Sequence, residues 1–265
     1  MNEHPGLDVF LKALHLSSIR AQYDLVAEKA KQESWSYQKY LEALCELELG
    51  ERSVHRVERL LKQSRLPEGK SLDTFDQTRL SLKLRRQLSE LLEGSFVERS
   101  ENVLAFGLPG RGKTHLVCAI ARELIIRKGY RVWLTTAFNL VQQLLIAKRD
   151  LVIEDLLRKL DTFDVVLVDD IGYVQQSRDE MEVLFTFLSE RYERRSLMIT
   201  SNLVFSQWDK IFKDPMTTAA AIDRLVHHSI ILELDGDSFR ARFASANSTP
   251  RKEKVEASKH QRKDP

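Results

Sequence analysis

From about Leu7 to Arg65 the apolar positions recur at helical spacing: Leu11, Leu14 and Ile19, then Tyr40, Leu41, Leu44 and Leu47. No convincing strand interrupts them, so residues 1–66 are expected to form a small all-helical domain. Pro67, Gly69 and Ser71 break the pattern, and a charged helix with Lys83, Arg85 and Arg86 is expected over residues 77–93. From Glu101 the period changes. Short apolar runs at 103–106, 132–135, 165–168, 197–201 and 230–234 alternate with longer stretches of helical spacing. That alternation predicts an α/β architecture, a parallel sheet wrapped by helices, over residues 67–245. Beyond Phe243 the chain turns polar. Residues 246–265, where Arg251, Lys252, Lys254, Lys259, Arg262 and Lys263 outnumber the acids, read as a disordered basic tail.

The first apolar run leads into Gly107-Leu108-Pro109-Gly110-Arg111-Gly112-Lys113-Thr114-His115, and a helical pattern follows from Leu116. A strand, G-x-x-x-x-G-K-T and a helix in that order make a phosphate cradle. The glycines let backbone N–H groups close around anionic oxygens, Lys113 can reach the terminal phosphates, and the Thr114 hydroxyl is placed to hold Mg2+. Residues 107–115 are therefore expected to bind ATP or GTP. The run at 165–168 is continuously apolar, as a buried parallel strand is, and ends on Asp169-Asp170. Two acids at a strand end are weak evidence alone, but downstream of the cradle they read as a Walker B pair. Asp169 is expected to bind the magnesium, and Asp170 to polarise or deprotonate the attacking water. Many ATPases of this class carry Glu at the second position; Asp170 is one methylene shorter, which predicts slow turnover. The run at 197–201 ends at Asn202, which in such a sheet lies near the γ-phosphate and can orient the water.

Composition adds little to this picture and removes some alternatives. In 265 residues, 41 Lys and Arg stand against 39 Asp and Glu, so the net charge of +2 neither demands nor excludes a polyanionic partner. Its distribution says more. Arg52, Arg56, Arg59, Lys62 and Arg65 form a basic stripe beside the apolar Val54, Val57, Leu60 and Leu61, either a solvated helix face or a phosphate-contacting one. Cys45 and Cys118 lie far apart within apolar helical patterns and read as buried, reduced thiols of a cytoplasmic protein. No secretory or membrane-spanning run is present. His227-His228 has no third ligand at metal spacing, and Trp35, Tyr37, Tyr40, Tyr130 and Trp133 read as core aromatics in preference to base-stacking ones.

The segments GLPGRGKTHL (107–116), DDIGY (169–173), RRSLMITSN (194–202) and AIDRL (221–225) occur together and in this order. In this the chain resembles the IstB family of transposition helper ATPases, AAA+ proteins related to helicase loaders of the DnaC type. The resemblance covers nearly the whole chain. It implies a three-layer αβα AAA+ core and ATP-dependent assembly as a homo-oligomer on double-stranded DNA, with ATP sites between subunits. It also implies delivery of that DNA to a transposase of the IstA type, with hydrolysis driving disassembly. On the same basis Arg224 resembles an arginine finger acting on a neighbour's ATP, with Arg191, Arg194 and Arg195 as rivals. Arg240 and Arg242 stay unassigned. Two other readings remain open: a helicase loader acting on single-stranded DNA, and a small-molecule P-loop kinase.

Overall fold

A computed structural model of the chain describes residues 5–173, 177–208, 211 and 215–234. The expected tail, Arg240 and Arg242 lie outside them. Three helices come first: α1 (Pro5–Ala13), α2 (Ser17–Gln32) and α3 (Tyr37–Ser64). A connecting segment with one 3-10 turn at Gln77–Arg79 leads to α4 (Leu82–Glu93) and α5 (Ser95–Glu98). Then follow β1 (Asn102–Phe106), α6 (Lys113–Lys128), β2 (Val132–Thr136), α7 (Ala137–Arg149), α8 (Ile153–Asp161) and β3 (Val165–Asp169). The described part closes with α9 (Arg178–Arg191), β4 (Ser196–Ser201), α10 (Pro215–Val226) and β5 (Ser229–Glu233). No helix among the described residues is long and apolar enough to cross a membrane.

The five strands pair in parallel in the order β2-β3-β4-β1-β5. Their near-continuous apolar runs follow from burial on both faces. Val103, Ala105, Val165, Leu167 and Met198 point to a core shared with α4, α6 and the end of α3. Leu104, Phe106, Val166, Val168, Leu197 and Ile199 point to the opposite core, shared with α7, α8, α9 and α10. This is the three-layer αβα arrangement expected from the sequence. On the outer side of β5, Gln87 of α4 donates from Nε2 to the Ile231 carbonyl (3.0 Å), so a side chain covers part of an otherwise open sheet edge.

The first three helices are pinned by one buried carboxylate. Glu48 of α3 accepts from the backbone N–H groups of Ser18 (2.9 Å) and Ile19 (3.3 Å), capping α2, whose own N-cap residue Leu16 offers no side-chain acceptor. Burial alone raises its pKa, but the hydrogen bonds from Arg52, Ile19 and Ser18 outweigh it and hold the carboxylate below its usual range. Leu11, Ile19, Tyr23 and Leu44 pack beneath it. The second half of α3 belongs elsewhere. Leu60 of α3, and Leu66 just beyond it, join the core on the α6 side of the sheet, so this helix runs from the small cluster into the main body. Cys118 is buried, and burial pushes its thiol up to about 12, whereas Cys45 is exposed, contrary to the expectation of two buried thiols.

Arg191 ends α9 inside the protein, 1% exposed. Its Nη1 donates to the Leu160 carbonyl (2.9 Å) and its Nη2 to those of Phe163 (3.1 Å) and Ser196 (3.0 Å). One guanidinium thereby ties the end of α8, the turn into β3 and the start of β4. Burial lowers its pKa to about 10, which leaves it charged at neutral pH. Arg191→Met leaves these buried carbonyls without their donor and is expected to cost about 3 kcal/mol, read as a lower urea midpoint. Arg191→Lys should recover only part of that loss, since one ammonium cannot reproduce the fork. An unchanged midpoint in the Met variant would show that the guanidinium is dispensable.

Candidate functional site

The carboxyl ends of β1, β4 and β3 lie side by side, with β1 the strand where the order of connections reverses. In an open α/β sheet that is where ligands bind. The turn after β1 is shaped by its glycines. Gly107 has φ +150°, and a Cβ there would sit 2.5 Å from the Leu234 carbonyl oxygen, just past β5. Gly110 and Gly112 have φ of 80° and 87°, in the left-handed region that a β-carbon disfavours. Gly112 is the N-cap of α6 and brings no side-chain cap, so the N-terminus of that helix is presented to the turn.

Lys113 is 5% exposed, and its Nζ donates to the carbonyls of Gly107 (2.6 Å) and Leu108 (3.1 Å) and to Asn202 Oδ1. The Thr114 hydroxyl donates to Asp169 Oδ1 (2.8 Å). The same oxygen accepts the Thr200 hydroxyl (2.6 Å), whose oxygen in turn accepts the backbone N–H of Asp170 (2.9 Å). Asn202 donates from Nδ2 to Asp170 Oδ1 (3.4 Å). Asp170 has φ 57°, a turn-back of the chain that brings its N–H onto the neighbouring strand. The sequence-predicted Lys113, Thr114, Asp169, Asp170 and Asn202 are thus one connected cluster. Thr200 was not among them. The signal was a hydroxyl within the segment LMITSN, two residues before Asn202.

The cluster fits the phosphates of a nucleotide. An uncapped helix N-terminus, a left-handed glycine turn and a buried ammonium converge on one place, and Thr114 and Asp169 already share the space in which a hard cation finds oxygen ligands. Leu108 and Pro109 are exposed, and Arg111 is half-buried at the rim. His115 is turned away. Its Nε2 lies 3.1 Å from both the Ser71 carbonyl and Thr74 Oγ1, and its ring meets Phe75 edge-on at 5.2 Å. Any part it plays in the cradle is through its backbone, while the side chain clamps the connecting segment to α6.

The arginines separate in the same way. Arg224 lies on α10 with its guanidinium over the Phe185 ring (4.8 Å) and Nη1 donating to Ala220 O (3.3 Å). Among its rivals, Arg191 is interior, Arg194 pairs with Asp161 and Glu190, and Arg195 pairs with Asp164. In the basic stripe, Arg52 bonds Glu48 (2.8 Å) and the His15 carbonyl (2.8 Å), closing the turn between α1 and α2. Arg65 stands over Trp133 (5.7 Å), and Arg56 lies against Gly129 at the C-terminal end of α6. Arg59 and Lys62 are exposed. Trp133 itself is buried and stacks on Phe163, a core aromatic, whereas Tyr37 is exposed.

The model of the IstB-like ATP binding protein family matches residues 9–247. An insertion-sequence ATP-binding protein of Sinorhizobium fredii is 42% identical over 239 residues, covering 90% of this chain and 80% of that one. The insertion sequence IS21 ATP-binding protein of Pseudomonas aeruginosa is 35% identical over 263 residues, covering 96% and 99%. Among solved structures, the DnaC helicase loader aligns with TM-score 0.52 at 18% identity, over 63% of this chain and 98% of the loader. AMPPCP-bound DnaA from Aquifex aeolicus aligns with TM-score 0.52 at 20% identity, over 69% of this chain and 54% of DnaA. These two likenesses are of fold.

Two substitutions test the cluster. Gly107→Ala places a methyl against the Leu234 carbonyl and should weaken ATP-analogue binding at least ten-fold by calorimetry, about 1.4 kcal/mol. Thr200→Val keeps the shape but removes the hydroxyl between Asp169 and Asp170. It should leave metal-free nucleotide affinity in place while abolishing most of the gain that Mg2+ adds; a full Mg2+ effect in this variant would mean the hydroxyl orients nothing.

Proposed function

Because the chain belongs to the IstB-like ATP binding protein family, we propose that it is an AAA+ ATPase that assembles on duplex DNA with ATP and serves a partner transposase of the IstA type. The observation that carries this reading is the hydrogen-bonded cluster at the ends of β1, β3 and β4, from Lys113 through Asn202 and Asp170 to Thr200, Asp169 and Thr114. It supports hydrolysis as well as binding. Thr114 and Asp169 would hold a Mg2+, which when bound would supply neutralising charge at the phosphates. Lys113 places its ammonium where negative charge grows. Asp170 takes the proton of the attacking water, and Asn202 holds that carboxylate through its Nδ2. The shorter reach of Asp170 favours slow turnover, which suits an assembly timed by hydrolysis.

The transposition setting is supported by the insertion-sequence relatives. In this reading residues 1–66 meet the DNA and the partner, residues 67–245 hold the nucleotide, and the protein acts in the cytoplasm. Arg59, Lys62 and Arg65 contact phosphates, whereas Arg52 serves the helical cluster. Arg224 acts in trans on a neighbour's ATP, for which it must leave the Phe185 ring. ATP then bridges subunits, and nucleotide state sets assembly.

The test is binding to duplex and single-stranded DNA, with sizing of the complexes, in ATP, in ADP and without nucleotide. Large ATP-dependent assemblies on duplex that weaken steeply with salt are expected, absent in Lys113→Ala. Arg224→Ala should lose hydrolysis and nucleotide-dependent assembly while still binding ATP. Preference for single strands would favour a helicase loader, and no DNA binding with any nucleotide would overturn both.

A further inference from the structure

At the amino ends of β4 and β5, on the far edge of the sheet from the phosphate cradle, two turns meet. One, after α9, carries Tyr192 and Glu193; the other, after α10, carries His227 and His228. Ligand atoms from Glu193, His227 and His228 all lie within 4.8 Å of one another, the one such group among the described residues. His228 Nε2 is 3.4 Å from Glu193 Oε1, and the two imidazole rings are 4.2 Å apart. In a tetrahedral site with bonds of about 2.0–2.1 Å, neighbouring ligand atoms sit roughly 3.3 Å apart, so the His228–Glu193 spacing is already that of a shared ion.

We propose that Glu193, His227 and His228 bind a zinc-class divalent cation, a nitrogen and oxygen donor set with water completing the coordination. The surroundings support a built site. His227 Nδ1 lies 3.0 Å from the Tyr192 hydroxyl, a contact that orients the ring beside Glu193. The His228 carbonyl accepts the Asn102 N–H (2.7 Å), anchoring that turn to β1, and Glu193 sits in a fixed left-handed turn at φ 56°. A sequence search for a third ligand near the histidines finds none because Glu193 lies on a different turn. An ion here staples the end of α9 to the end of α10, the helix that carries Arg224.

The test uses the metal-stripped full chain without nucleotide, titrated with Co2+ and then with Zn2+. One equivalent of Co2+ should give the intense visible bands of tetrahedral coordination, and Zn2+ should displace it. His228→Ala and Glu193→Gln, both exposed positions, should each weaken binding at least ten-fold while leaving ATP-analogue binding intact. Zinc should raise the thermal midpoint of the parent chain but not of His228→Ala. Asp169→Asn should leave the bands unchanged. No Co2+ binding, binding indifferent to both variants, or bands that vanish with Asp169 would each overturn the proposal.

Discussion

A single carboxylate oxygen organises the business end of the sheet. Asp169 Oδ1 receives hydroxyls from Thr114, on the helix after β1, and from Thr200, on β4. Three segments that are far apart in sequence are thereby held at one point, and Asp170 is set in place by its N–H on the same Thr200. Asp169 needs to be the last residue of β3 for this geometry, and the cradle needs to follow β1 immediately. The parallel order β2-β3-β4-β1-β5 supplies both, because it aligns the carboxyl ends of β3, β4 and β1.

The opposite edge is held by different chemistry. Arg191 gathers carbonyls from α8, the following turn and β4, and Asn102 accepts from Leu197 N–H while its own N–H reaches the His228 carbonyl. Side chains that satisfy backbone groups at strand starts leave the strand ends to side chains that face a ligand. The buried arginine therefore belongs to the scaffold, and treating every arginine near the acid turn as a trans-acting group overlooks what burial requires of a guanidinium: partners within its own chain.

The strands were legible because burial on both faces leaves an uninterrupted apolar run, and each run found by pattern overlaps an observed strand with ends shifted by at most one residue. The cradle and the acid pair were legible because their chemistry is local in sequence. What pattern could not show was pairing across the fold. Thr200 looks like any β-branched strand residue until its neighbour on the adjacent strand, Asp169, is known. Glu193 becomes relevant to the histidines only when two turns are brought together. Cys45 sits in a helical apolar pattern, yet the helix face it occupies is exposed. Arg52 lies in the basic stripe, and its i,i+4 partner Glu48 also marks its place in the helical cluster.

Helix α3 is 28 residues long, with Leu44 in the N-terminal cluster and Leu60 in the core against the sheet. At 1.5 Å per residue it is a rod of roughly 40 Å, so a tilt of about ten degrees at its inner end carries the outer end through roughly 7 Å. Its inner end lies beside α6, the helix that begins at Lys113. One continuous rod therefore joins the N-terminal cluster to the neighbourhood of the cradle, with no linker between them to absorb a change of angle.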